Sequence, residues 1–390
     1  MGTIISEFSH LAPIDLDDPR FQSNPWPVYS RLRAQAPVHR AANGAWYVFR
    51  YDAVRALLCM EVTEQPFRTT RRAFGPSMLD REGAHHLRLR GLAASALSPK
   101  HIDIYEESII KPVAGELLDR LMHGNPTDLV RYYARELPIA VFCRVMGIPP
   151  AHGPWLYSAL RGLIAHIDQD GGSVAEVTAQ RKVLRRYFED RLRERDYCDG
   201  LLRRFAEADD GFTTIPDVLN NATMLLAAGT ETTGLAVGTL LAHLAMFPTL
   251  LDEMRADPGL VPAVVSESLR HEPPLHFTTR FLAEDVDVDD TTLKAGSAVQ
   301  LCLGSANRDE RRYASPDRFD PHRADLVPLT FGYGMHRCIG SGLANRELAV
   351  MIRMFIERGL TLELAGDDVP RVEGRVFRGV RRLLAAVKPR

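Results

Sequence analysis

Apolar residues recur at three- and four-residue steps through most of the chain, a spacing that predicts a mostly helical protein. A helix is predicted near Val28 to Ala36, followed by short strand-like pieces around Trp46 to Phe49. From about 84 to 260 the pattern is mainly helical, with breaks at Ser98-Pro99, Gly147 to Pro150, Gly171-Gly172 and Pro248. Val286, Val288, Val299 and Leu301 then stand among Asp, Thr and Gly, so residues 280 to 305 read as β. The longest apolar stretch, Ala222 to Phe247, has the length of a membrane span, but Glu231, His243 and the cluster Thr230, Thr232 and Thr233 interrupt it. Charges near a bilayer centre are costly, so a buried core helix with a polar interruption is the expectation. Internal repeats, low-complexity tracts, long linkers and an evident domain boundary are all lacking. The fold class expected is therefore mainly α with a minor β region, in a single large domain.

The most specific chemistry lies further on. Residues Phe331 to Gly340, FGYGMHRCIG, put Cys338 in a glycine-flanked turn directly ahead of a helical pattern carried by Ile339, Leu343, Ala344, Val350, Met351, Met354 and Phe355. Cys338 is thus expected at or just before a helix N-terminus, where unpaired N–H groups and the helix dipole favour a thiolate. Gly332, Gly334 and Gly340 permit conformations and close approaches that a Cβ would block, as a flat macrocycle lying on a loop requires. His336 is placed to donate a hydrogen bond or a charge to an anionic group beside a metal. A lone cysteine at a helix start is more often an inert core residue. The full pattern Phe-Gly-x-Gly-x-His-x-Cys-x-Gly is different: at this chain's composition it arises by chance roughly a few times per million such chains.

Composition then removes other classes. With 390 residues and 45% hydrophobic content the chain can bury a large core. Net charge of −2 and a pI near 6.7 give no basic bias, so no nucleic-acid partner is expected. Cys59, Cys143, Cys198, Cys302 and Cys338 are far apart, odd in number and free of any Cys-x-x-Cys pair. That usage fits a reduced, cytoplasmic protein and not a disulfide framework or zinc site. No signal-peptide pattern is found, and Met1-Gly2 with Ser6 matches a myristoylation pattern only formally, so no membrane attachment is expected.

Three further groupings carry charge into apolar surroundings. Ala228-Gly229-Thr230-Glu231-Thr232-Thr233 lies in the middle of the long apolar helix, where a carboxylate and hydroxyls are expensive unless paired, hydrated or used. Gly229 weakens that helix locally, and the Thr hydroxyls can bond back to carbonyls and open a bulge. Glu267 and Arg270, at i,i+3 spacing, share one helix face. His86 and Arg90, at i,i+4, also share a face, while Arg280 follows Pro273-Pro274 on an extended segment. Taken alone, each of these last three is as readily a surface charge.

Together these residues resemble the haem-binding loop and its surroundings in the cytochrome P-450 family, the haem-thiolate monooxygenases, and the resemblance runs from about residue 18 to the C-terminus. It implies a cytochrome P-450 fold, triangular and helix-rich, with 1–17 as an N-terminal extension and 18–390 as the haem domain. It implies that Cys338 ligates the iron of haem b, with Ala228, Phe331, Gly332 and Gly340 beside the cofactor. Two haem propionates require cationic or hydrogen-bonding partners, and the resemblance supplies His86, Arg90, Arg280 and His336. Glu231 is assigned to proton supply and Thr232 to the oxygen-binding groove. Pro316-Asp317-Arg318-Phe319 resembles the family's partner segment, implying a structural Glu267, Arg270, Arg318 network. The substrate pocket is expected to draw on residues 62 to 80, Leu225 and Ala228, Phe277, Thr278 and Thr279, and the segment around Phe377. Asn307-Arg308-Asp309-Glu310 has Glu where many relatives place Pro, a departure confined to a turn.

The activity so implied is oxidation of a small organic substrate, of the kind found in secondary metabolism, with O₂ and two electrons from a separate ferredoxin and its reductase. Arg88, Arg337, Arg346 and Arg353 are candidates for the docking face, or ordinary solvated arginines. A monomer is expected. The same iron in oxidative coupling or peroxide-driven oxidation is a second reading, and a haem sensor a third, which Glu231 and Thr232 disfavour.

Overall fold

The structure, a computed structural model, describes residues 15, 18–41, 44–60, 68–168, 173–195, 197–208, 211–366 and 369–390. The predicted N-terminal extension therefore lies almost wholly outside the described residues, as do Gly171-Gly172 and part of the 62–80 pocket segment.

The helices that position the site are α1 (Trp26–Gln35), α2 (Gly83–Ala96), α3 (Glu136–Met146), α4 (Gly153–Ile167), α5 (Val174–Glu194), α6 (Ile215–Met246), α7 (Val261–His271) and α8 (Ser341–Glu357). Breaks fall where the sequence indicates them. Gly147 takes a left-handed conformation to end α3, and α6 stops at Phe247 before Pro248. A four-stranded sheet forms from β1 (Val38–Arg40), β2 (Trp46–Val48), β3 (Phe277–Phe281) and β4 (Ala298–Cys302), in the order β1-β2-β4-β3. Strands β2 and β4 are parallel, with Trp46 opposite Val299, whereas β3 runs antiparallel to β4.

Helix α6 starts at a reciprocal cap: Asp217 N–H donates to Thr214 Oγ1 and Thr214 N–H to Asp217 Oδ2. It is long and apolar enough to cross a membrane, but 78% of its apolar window is buried inside the protein, as the central helix of a core. Gly229 in this helix answers a packing need. A Cβ on Gly229 would lie 2.4 Å from Phe142 Cε2 on α3, so the two helices cross here because the side chain is missing. Gly229→Ala is expected to lower stability by about 1–3 kcal/mol through overpacking, read as a fall in the thermal midpoint. An unchanged midpoint would count against this account.

A second, aromatic core forms between α1 and the sheet. The Phe277 ring packs edge-on to Tyr29 and Tyr47, at 6.1 and 5.8 Å between centroids. Phe277 is thus a core residue and not a pocket residue, contrary to the sequence expectation. Neighbouring residues of a strand point to opposite faces, so Phe277 and Thr278 cannot line the same cavity.

Candidate functional site

The Cys338 loop is closed by its own backbone. Cys338 N–H donates to Phe331 O (2.8 Å) and Gly332 N–H to Leu329 O (2.8 Å). Gly332 and Gly334 have φ of +66° and +73°, and a Cβ on Gly334 would meet Leu58 O at 2.8 Å. Gly340 departs from expectation: its φ of −84° suits any residue, and an added Cβ would lie at ordinary contact distance, 3.9 Å, from the Cys338 sulfur. Helix α8 begins at the next residue, Ser341.

Cys338 is deep in the molecule and yet solvent-accessible, so it lines a cleft. Burial raises its pKa, opposed by hydrogen bonds from the Gly340 and Ser341 backbone and by the charges of Arg90 and Arg337. Cys143 and Cys302 contrast with it, being buried and pushed up to about 12.

Around the cleft stand four donor side chains. The His86 and His336 rings lie 4.3 Å apart. His86 Nδ1 bonds Met78 O (2.9 Å), while its Nε2 is buried without a partner. Arg90 on α2 donates to Arg337 O at 2.6 Å. Arg280 on β3 donates to Thr279 O (2.9 Å) and Thr278 Oγ1 (3.2 Å), leaving its buried Nε without a partner. Among the described residues no carboxylate pairs with Arg90 or Arg280. Burial lowers the pKa of both arginines and of His86. Burial first, then Arg280, His86 and Arg90, push His336 down to about 3. Its neutral ring donates Nε2–H to Glu82 Oε1, 2.8 Å away. The buried Arg280 and half-buried Arg90 guanidinium groups, ion-paired to no carboxylate among the described residues, fit a ligand that brings carboxylates, as haem does.

On α6, Ala228 is exposed although most of the helix is buried, and Gly229 and Thr232 are half-buried. Thr232 Oγ1 donates back to Ala228 O (2.8 Å) and Thr230 Oγ1 to Leu226 O (2.7 Å), yet the helix stays continuous without the expected bulge. Glu231 lies beside Arg135, Tyr157 and Arg381. Burial raises its pKa, with Arg381 and Arg135 opposing. Successive helical residues project about 100° apart, which is why Glu231 and Thr232 meet different surroundings. Leu225 is buried in the main core one turn before Ala228. Phe377 packs on the same core, and Asp168 Oδ1, at the end of α4, accepts from the Val376 and Phe377 N–H groups at 2.8 Å each.

The charge network differs in one member from expectation. Arg270 makes a double hydrogen bond to Glu267 (2.6 and 2.8 Å), both side chains being fully buried. The third side chain is Arg323, whose Nε lies 3.2 Å from Glu267 Oε1. Arg318 supplies only its carbonyl, to Arg270 and Arg323. The loop after Phe319 folds back, bringing Asp320 N–H to Glu267 as well (2.7 Å). Arg323, Glu82 and Asp168 escaped sequence reasoning, since each acts across a fold contact that no local spacing encodes. Of the docking candidates, Arg346 and Arg353 are engaged by Glu106, and Arg88 stacks over Phe212.

A glycine-cradled cysteine ahead of a helix, with two histidines around it and two arginines not ion-paired to any described carboxylate, fits a haem protein whose iron takes a cysteine sulfur. The family described as Cytochrome P450 matches residues 172–379. The chain belongs to the cytochrome P450 family, of bacterial type, and is a haem-dependent monooxygenase. It is 30% identical to the cytochrome P450 monooxygenase PikC of Streptomyces venezuelae, over 93% of this chain and 91% of PikC. It is 33% identical to the 20-oxo-5-O-mycaminosyltylactone 23-monooxygenase of Streptomyces fradiae, over 85% and 81% of the two chains. Among solved structures, P450BioI in complex with an acyl carrier protein superposes with a TM-score of 0.87 at 27% identity, covering 95% of this chain and 100% of that one.

Proposed function

We propose that this enzyme inserts oxygen into a small organic intermediate of secondary metabolism, using electrons from a ferredoxin and its reductase. The observation that carries this reading is the exposed Ala228 with Thr232 one turn on, in the middle of a central helix that is mostly buried. Two relatives named as monooxygenases, PikC and the tylactone enzyme, come from Streptomyces and support the substrate class.

When bound, thiolate-ligated haem supplies reductive activation of O₂, the sulfur pushing electron density toward O–O cleavage. In this chain Cys338 would hold the iron, His86, Arg90, Arg280 and His336 would bind the propionates, and Phe331, Gly332, Gly340 and Ala228 would lie beside the cofactor. The Thr232 hydroxyl gives its one proton to Ala228 O, which leaves its two lone pairs to accept from and orient water. Glu231 passes protons toward it through water, its pKa raised by burial against the charges of Arg381 and Arg135. Thr278, Leu225, Ala228 and Phe377 shape the substrate pocket. Residues 18–390 act as one haem domain, and the enzyme works in the cytoplasm as a monomer.

The test is a compound panel screened for shifts of the haem absorption band, followed by turnover of each hit with ferredoxin and reductase. Thr232→Ala is expected to cut product formed per O₂ consumed by roughly 10²-fold, within the range for a lost proton-transfer group. Full coupling in that variant would remove the Thr232 hydroxyl from proton delivery, and absence of turnover for every bound compound in the unaltered protein would favour the sensor reading.

A further inference from the structure

A cavity of about 420 Å³ lies apart from Cys338, between α5, the start of α6 and the segment leading into α2. Arg81, His85, Arg181 and Arg185 line it, with Asp217 as the acid among them. Asp217 is occupied by the cap of α6, accepting from Thr214 N–H (3.1 Å) and Thr214 Oγ1 (2.7 Å), and lies 3.8 Å from His85. Arg185 is paired with Glu189 at 2.9 Å. Among the described residues Arg181 bonds only to backbone, the carbonyls of Arg71 and Arg72. Arg81 has no carboxylate partner among the described residues, and its buried Nε has no hydrogen bond. Two guanidinium charges thus face one cavity with no ion-paired carboxylate among the described residues, beside the positive end of a long helix.

Helix α6 runs from the wall of this cavity to the haem site. Asn220 lines it, and Ala228 is eight residues further along α6, about 12 Å at helical rise. Arg81 is followed by Glu82, the partner of His336. We propose that this cavity binds the anionic head, a phosphate or carboxylate, of an elongated substrate whose apolar end reaches Ala228. The inference rests on the oxygenase reading for that far end; the anion site itself does not.

The test uses haem-loaded protein and three ten-carbon probes: decyl phosphate, decanoate and decan-1-ol, with inorganic phosphate as competitor. Calorimetry should show an anionic probe binding at least about tenfold more tightly than the alcohol, and inorganic phosphate displacing it. Whichever anion binds more tightly identifies the head group. In Arg81→Gln/Arg181→Gln the preference should fall below about twofold, with alcohol binding and the CO-bound absorption band unchanged. High salt on the unaltered protein should erase the same preference, a check independent of the variant's folding. Equal binding of anions and alcohol, or a preference that survives both changes, overturns the proposal. A missing thiolate band would instead count against the Cys338 assignment alone.

Discussion

Cys338→Ser is expected to abolish the absorption band that thiolate ligation gives the reduced, CO-bound protein, and turnover with it. Serine is close in size, but its hydroxyl stays protonated where a thiol yields a ligating anion. The loop should survive the change, because the contacts that shape it are backbone bonds, Cys338 N–H to Phe331 O and Gly332 N–H to Leu329 O. Loss of the band should therefore come with little change in the far-ultraviolet circular dichroism of the haem-free chain. An unaltered band in the variant would remove Cys338 from the iron.

Glu267→Gln should have the largest effect on stability. Its carboxylate is fully buried and holds Arg270, Arg323 and the Asp320 N–H together. Neutralising it leaves two guanidinium groups in the interior without their anion, a change that costs about 3–5 kcal/mol. We expect urea unfolding to shift to much lower midpoints and haem retention to fall. Arg323→Ala should follow the same direction, while Arg318→Ala should stay within about 0.5 kcal/mol, because that side chain is exposed and only its carbonyl is used. Equal effects of the two arginine variants would contradict this division of roles.

Those two arginines also mark where sequence reasoning stops. Helix periodicity, Pro and Gly breaks and the FGYGMHRCIG turn are local signals, and α6, α8, the sheet and the Cys338 turn lie where those signals put them. Membership of the charge network is not local. Arg318 and Arg323 sit in one irregular loop, and only its return toward α7 makes Arg323 the partner of Glu267. Phe277 fails for a related reason: β3 packs against side chains on both faces, so its sequence does not say which face meets the aromatic core. Gly229 looks from local sequence like a weak point of a helix, whereas its use is a tight crossing with Phe142, a residue some ninety positions earlier.

The parallel pairing of β2 with β4 has a consequence for the order of events at the ribosome. Trp46 cannot meet Val299 until some 250 further residues have emerged, and β3, with Arg280, is held in register by the same β4. Such long-range contacts raise contact order and slow folding. The edge of the cleft bearing Arg280 is thus among the last parts to assemble during synthesis. Nascent chains should take up haem only after the C-terminal third has been made.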